Sequence, residues 1–177
     1  NFKETMDPLL EAIGNKDYDC VLQQKGLNTF EPNSLNQYCR ILIRKTVDPN
    51  AKYLTNKVYR DIFKIMSSEE KEDFFEELFD FLVGGIVIKE IKDYGTCEIG
   101  GKLALFYDIV RESTTGKEDV LLSSYMIPCG ETIFMMQVAY RVSEEKIFSS
   151  SIKQFFDSLV INIEEIDYLS EVQIPGT

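Results

Sequence analysis

Cys20, Cys39, Cys97 and Cys129 are the side chains in this sequence best suited to act as nucleophiles or soft metal ligands. Both chemistries need neighbours. A reactive thiolate is usually raised by a nearby His or other cation, and zinc takes its ligands in close sets such as Cys-x2-Cys. The chain has no His, and its cysteines lie at least nineteen positions apart. Ser-His-Asp triads, Cys-His dyads, HExxH zinc sites and imidazole proton shuttles are therefore excluded within it. A catalyst would have to use paired carboxylates, a depressed Lys, a Tyr, or a thiolate activated without His. No motif for any of these is present. The expectation is a non-enzyme with no catalytic residue, no metal ligand and no cofactor. The cysteines read as small buried hydrophobes. Two disulfides also fit the count, with three alternative pairings.

Three other groupings invite a chemical reading. Glu69, Glu72, Asp73, Glu76 and Asp80 recur at i, i+3 and i+4, so their carboxylates adjoin on one helix face. That face would suit a basic partner or a divalent ion, but no DxDxDG loop accompanies it, and a solvated surface is the plainer expectation. Phe74, Phe75, Leu78, Phe79 and Phe81 make the same helix broad and apolar, as expected of core. Met126, Met135 and Met136 read as core filling rather than an adaptable pocket. Gly100-Gly101 lacks the spacing of a phosphate loop and reads as a hairpin turn.

Charge narrows the partners. Asp+Glu number 30 against 19 Lys+Arg, a formal net charge of −11. Residues 67–83 hold seven acids and Lys71 alone, and the tail 161–177 holds four acids and no base. No cluster of Lys and Arg is present to follow a phosphate backbone, so nucleic acid is not an expected partner. No apolar run reaches the roughly eighteen residues of a membrane span. Thiols without evident pairing lean toward a reducing, cytoplasmic compartment. Because the sequence starts at Asn1 rather than Met, an exported or lipid-anchored form with its signal trimmed is a further expectation.

The elements that must hold these groups follow from pattern. At roughly 100–200 residues per domain, 1–177 is one domain, with an N-terminal helix and connector arm at 1–34 and an acidic tail at 161–177. Asp7-Pro8 opens a helix that stops at Gly14, and Val21-Leu22 suggests a short strand within the connector. Tyr38 to Thr46 alternates, Cys39, Ile41 and Ile43 facing one way and Arg40, Leu42 and Arg44 the other. Residues 51–66 predict a helix facing the core with Leu54, Val58, Ile62 and Ile65, with Tyr59, Phe63 and Met66 on its flank. Ser67 and Glu70 form a capping box for the Phe-rich helix, which Gly84-Gly85 ends. The period then changes to two. Strands are predicted from Ile86 to Ile99 with a kink near Asp93-Tyr94-Gly95, over Leu103–Arg111, over Val120–Ile127 before a Pro128-Cys129-Gly130 turn, and over Thr132–Val142. Ser143 or the Ser149–Ser151 run caps a closing helix lined by Ile152, Phe155, Phe156 and Leu159, and an edge strand follows from Ile161. Grouped strands flanked by helices predict α+β: an antiparallel meander sheet covered by helices, an α/β/α sandwich.

The second half, about 85–160, resembles the fold shared by the photosynthetic extrinsic protein PsbP and the Ran-binding nuclear import factor. The resemblance rests on a strand leading into Glu98-Ile99-Gly100-Gly101-Lys102-Leu103-Ala104, the strand order after it, and a closing helix with Phe155-Phe156-Asp157-Ser158-Leu159. It implies a non-catalytic binding or assembly protein, and no functional residue carries over. The expected function is thus a non-enzymatic protein-interaction or accessory domain, its binding residues unknown, its partner an unidentified protein or a second copy of the chain. The alternative is a binder of a small apolar ligand in a pocket between the sheet and the Phe-rich helix.

Overall fold

Alternation at 38–46 produces β3 (Cys39–Val47), in which Cys39 and Ile41 are fully buried while Arg44 and Lys45 stay in water. The structure, a computed structural model, describes residues 2–4, 18–24, 37–83, 86–113 and 118–163. The helix expected at 7–13, the Gly84-Gly85 stop and the acids of the tail from Glu164 lie outside those residues. The short strand expected at Val21-Leu22 is β2 (Cys20–Gln24), and it joins β1 (Phe2–Glu4) to β3. The later strands are β4 (Ile88–Ile99), β5 (Lys102–Arg111), β6 (Val120–Cys129) and β7 (Thr132–Arg141).

These form one seven-stranded antiparallel sheet in the order β1-β2-β3-β7-β6-β5-β4. Two meanders meet where β3 pairs with β7. Since β3 and β4 run the same way at opposite sides of β7, β6 and β5, the chain must cross a face of the sheet between them. It does so as α1 (Asn56–Ile65) and α2 (Ser68–Val83). The second face takes α3 (Glu145–Ser158). Helices on both faces make the expected α/β/α sandwich, with a core layer on each side of the sheet.

Local chemistry sets the boundaries. Gly100 and Gly101 both have positive φ, +58° and +78°, as the two central residues of a type I′ hairpin turn require. A Cβ on Gly100 would also stand 2.9 Å from Ile161 Cγ1. Ser67 N–H donates to Glu70 Oε2 at 2.6 Å and Glu70 N–H to Ser67 Oγ at 3.2 Å, completing the capping box. The kink in β4 is a register shift between Ile91 and Asp93. Strand β6 continues through Pro128 to Cys129, so the turn falls at Gly130-Glu131 instead of Pro128-Cys129-Gly130. The closing helix is capped by neither serine group. Glu144 occupies its N-cap, Ser143 Oγ donates to Glu118 Oε2 at 2.8 Å, and Ser149–Ser151 lie within the helix. Residues 161–163 are not in a strand; Ile161 and Ile163 pack against the core beside α3.

The largest departure is the face α1 presents. Ile65 is 84% exposed and Ile62 and Leu54 are also exposed, whereas Asn56, Tyr59 and Phe63 turn inward. A buried carboxamide causes this rotation. The β5–β6 ladder ends at Leu105–Met126, and Pro128, two residues farther along β6, has no N–H to give. Asn56 fills the gap: its Nδ2 donates to Leu103 O at 2.8 Å and to Pro128 O at 3.0 Å, and its Oδ1 accepts from Leu103 N at 2.8 Å. Arg60, one turn on, reaches Asn56 Oδ1, Gly101 O and the Glu98 carboxylate. The hydrogen bonds from Arg60 hold Glu98 below the usual carboxylate range.

Asn56→Ala leaves Leu103 N–H and two carbonyls without partners, and each buried orphan costs about 1–3 kcal/mol. The expected loss of unfolding free energy in urea is about 3–4 kcal/mol. Asn56→Asp, which keeps the acceptor but loses the donor, should also destabilise. A change below about 1 kcal/mol for the alanine variant would contradict this assignment.

Candidate functional site

Between α2 and the sheet, the space is filled by rings. Phe63 and Phe74 meet edge to face at 5.2 Å, Phe79 and Tyr107 at 5.1 Å, and Tyr94 stacks on Tyr107 at 5.3 Å. Tyr107 OH donates to Phe75 O, fixing α2 to β5, and burial there pushes the phenol up to about 12. The concavity on this face lies to one side of the ring cluster, over β3, β7 and β6. Among the described residues, the helices stand over β5 and β6 and leave that part of the sheet open.

The hollow has a volume of about 500 Å³, a size typical of small-molecule sites. Its floor follows from strand alternation. Arg40 and Leu42 on β3 lie opposite Ala139 and Gln137 on β7, and Ala139 lies opposite Leu122 on β6. All five project from the α1–α2 face. Ala139 is small, and that deepens the centre. Ile86 and Val87 form one rim, and Arg111, Glu112 and Ser113, where β5 ends, form another. Gln137 is held in place: its Oε1 accepts from Tyr18 OH at 3.0 Å and its Nε2 donates to Ser124 Oγ at 3.4 Å.

Charge sets this hollow apart from the rest of the chain. Arg40 Nε is buried and has no hydrogen-bond partner, and the guanidinium carbon lies 6.0 Å from the centre of the Tyr38 ring. Arg111 Nη1 donates to the main-chain oxygen of Glu112 at 2.9 Å. Neither arginine forms an ion pair among the described residues. Glu112, the one carboxylate in the lining, is 3.7 Å from Lys89 Nζ, which also holds Asp119 at 2.8 Å. A guanidinium keeps its charge at any physiological pH. The lining thus offers two fixed positive charges above an apolar floor. The sequence pattern places Arg40 on one side of the 38–46 alternation and Arg111 at the end of a strand, with no site assigned to either. The available signal was an Arg in the middle of a strand face otherwise lined by Tyr38 and Leu42.

The groups singled out from sequence lie elsewhere. Glu69, Glu72, Asp73 and Glu76 face solvent on α2. No group of His, Cys, Asp or Glu suited to a metal occurs among the described residues. None of the four cysteines, all described, forms a disulfide. Burial pushes the Cys39 thiol up to about 12 and the Cys97 thiol to about 11, away from thiolate chemistry. Met126 and Met135 pair across β6 and β7 on the α1–α2 face, and Met136 packs on the other, so the three are not gathered together. Among the described residues, no helix is long and apolar enough to cross a membrane.

No family model matches the chain, and no curated protein matches it in sequence. Solved structures do resemble it. One is PA94 from Pseudomonas aeruginosa, a protein of unknown function, at 10% identity and TM-score 0.51, covering 81% of this chain and 83% of that one. Another is LpqN of Mycobacterium tuberculosis, involved in cell envelope biogenesis, at 13% identity and TM-score 0.44, covering 81% and 72%. The likeness to PA94 is one of fold.

A guanidinium whose buried Nε lacks an acceptor weakens the fold, and replacing such a group by an apolar one of similar volume is often neutral or stabilising. Arg40→Met is therefore expected to raise Tm by about 2–4 °C, the equivalent of about 1 kcal/mol in a chain of this size. Calorimetry checks it, and a fall of several degrees would assign Arg40 a structural role.

Proposed function

We propose that this chain is a non-enzymatic binding or accessory domain that holds a group of its partner in the hollow over β3, β7 and β6. The observation that carries this reading is an open cavity of about 500 Å³ on a sheet face whose other half is sealed by helices. The absence of His and the raised Cys39 and Cys97 thiols support a binding role over a catalytic one. The order β4-β5-β6-β7-α3 supports a PsbP-like reading of the second half, and with it the non-catalytic character of such proteins. The exposed acids of α2 give any protein partner a negative surface beside the aromatic layer. This reading replaces the pocket expected beneath the Phe-rich helix with one next to it.

A neutral fluorescent probe, 1-aminoanthracene, tests the reading. The full chain is expected to bind it saturably with one site, and Ala139→Phe, which fills the centre of the floor, should weaken binding at least tenfold while the protein stays folded by circular dichroism. Unsaturable binding, or unchanged affinity in the variant, would overturn it.

A further inference from the structure

We propose that the hollow recognises a single carboxylate attached to an apolar body, with Arg40 as its charge partner; this rests on the binding role proposed above. With 30 acids available, the chain brings none of the described ones into an ion pair with Arg40 or Arg111. Arg111 and Arg40 enter the hollow from different strands. Ala139 and Leu122 separate Arg40 from β5, three strand spacings away, about 14 Å at the usual 4.8 Å per strand. Between them lies apolar floor, so the site has charged ends and a greasy centre. Arg suits planar carboxylates through its paired N–H groups.

The remaining lining favours a monoanion over a phosphate ester. Glu112 places a negative charge at the rim. The helix end leading into the hollow is the C-terminal one: α2 stops at Val83, and Ile86 and Val87 follow directly as lining. That end carries the negative pole of the helix dipole, which opposes a dianion more than a monoanion. Among the described residues, no Lys lines the hollow. A free small acid and the C-terminus of a peptide share the required chemistry.

The test uses the full chain at pH 7 with matched pairs, read by NMR titration: 4-phenylbutyrate against 4-phenylbutyramide, and N-acetyl-Leu-Phe with a free against an amidated terminus. Phenyl phosphate is a further probe. At least one acid is expected to bind about tenfold to a hundredfold tighter than its amide, the range of a charge-assisted hydrogen bond. Arg40→Met should reduce that ratio toward one while amide binding persists. A preference confined to 4-phenylbutyrate supports a free acid as the natural ligand, and one confined to the dipeptide supports a peptide terminus. Equal binding of acid and amide, or tighter binding of phenyl phosphate than of either acid, would overturn the proposal and leave the 1-aminoanthracene result intact. Failure of every probe, 1-aminoanthracene included, would remove the binding reading as well.

Discussion

The carboxamide of Asn56 decides where the helical layer sits. Just beyond the last β5–β6 pair, Leu105–Met126, Pro128 lacks a donor, so the strands alone cannot satisfy the peptide groups there. Asn56 acts in place of a strand peptide, giving and accepting where Pro128 cannot. Because its side chain is only 3% exposed, the first turn of α1 is fixed over β5 and β6. Tyr59 and Phe63 then face the sheet, and α2 packs its phenylalanines against them and Tyr107.

The hollow is what this placement leaves uncovered. Its floor residues Ala139 and Leu122 belong to the same apolar layer that Phe75 and Leu82 seal farther across the sheet. On the other face α3 lays Phe148, Ile152, Phe155 and Phe156 over β7, β3 and β6, and Ile161 and Ile163 extend the cover. Glu144, 5% exposed, pairs with Arg141 at 3.5 Å and accepts from Tyr38 N at 2.8 Å. On the same face, an Arg with its carboxylate contrasts with an Arg without one. That contrast is what separates Arg141, a structural residue, from Arg40.

Much of the architecture was legible in sequence because it rests on local rules. Alternation located β3 and β5–β7, Ser67 and Glu70 announced the start of α2, and Gly100-Gly101 marked a turn that only glycine fits well. Errors arose where a single polar contact outweighed a hydrophobic pattern. The stripe Leu54, Val58, Ile62, Ile65 is a good helical pattern, yet three hydrogen bonds to Asn56 rotate it outward. Pro128 looked like a turn residue, although its missing N–H is the reason an Asn is needed. The hollow was not legible. Arg40 and Arg111 are seventy-one positions apart, and their meeting depends on β3 inserting beside β7, a pairing that no local signal encodes.

The most direct test of this account is native-state hydrogen exchange at the Leu103 amide. It sits at a strand end where no strand partner accepts its proton, so an unaided end would fray. If the Asn56 carboxamide holds it, Leu103 exchanges as slowly as Ile109 and Leu122 in the middle of the sheet. Exchange many orders of magnitude faster than those two, at the rate of an exposed loop, would mean that the helical layer is not anchored there.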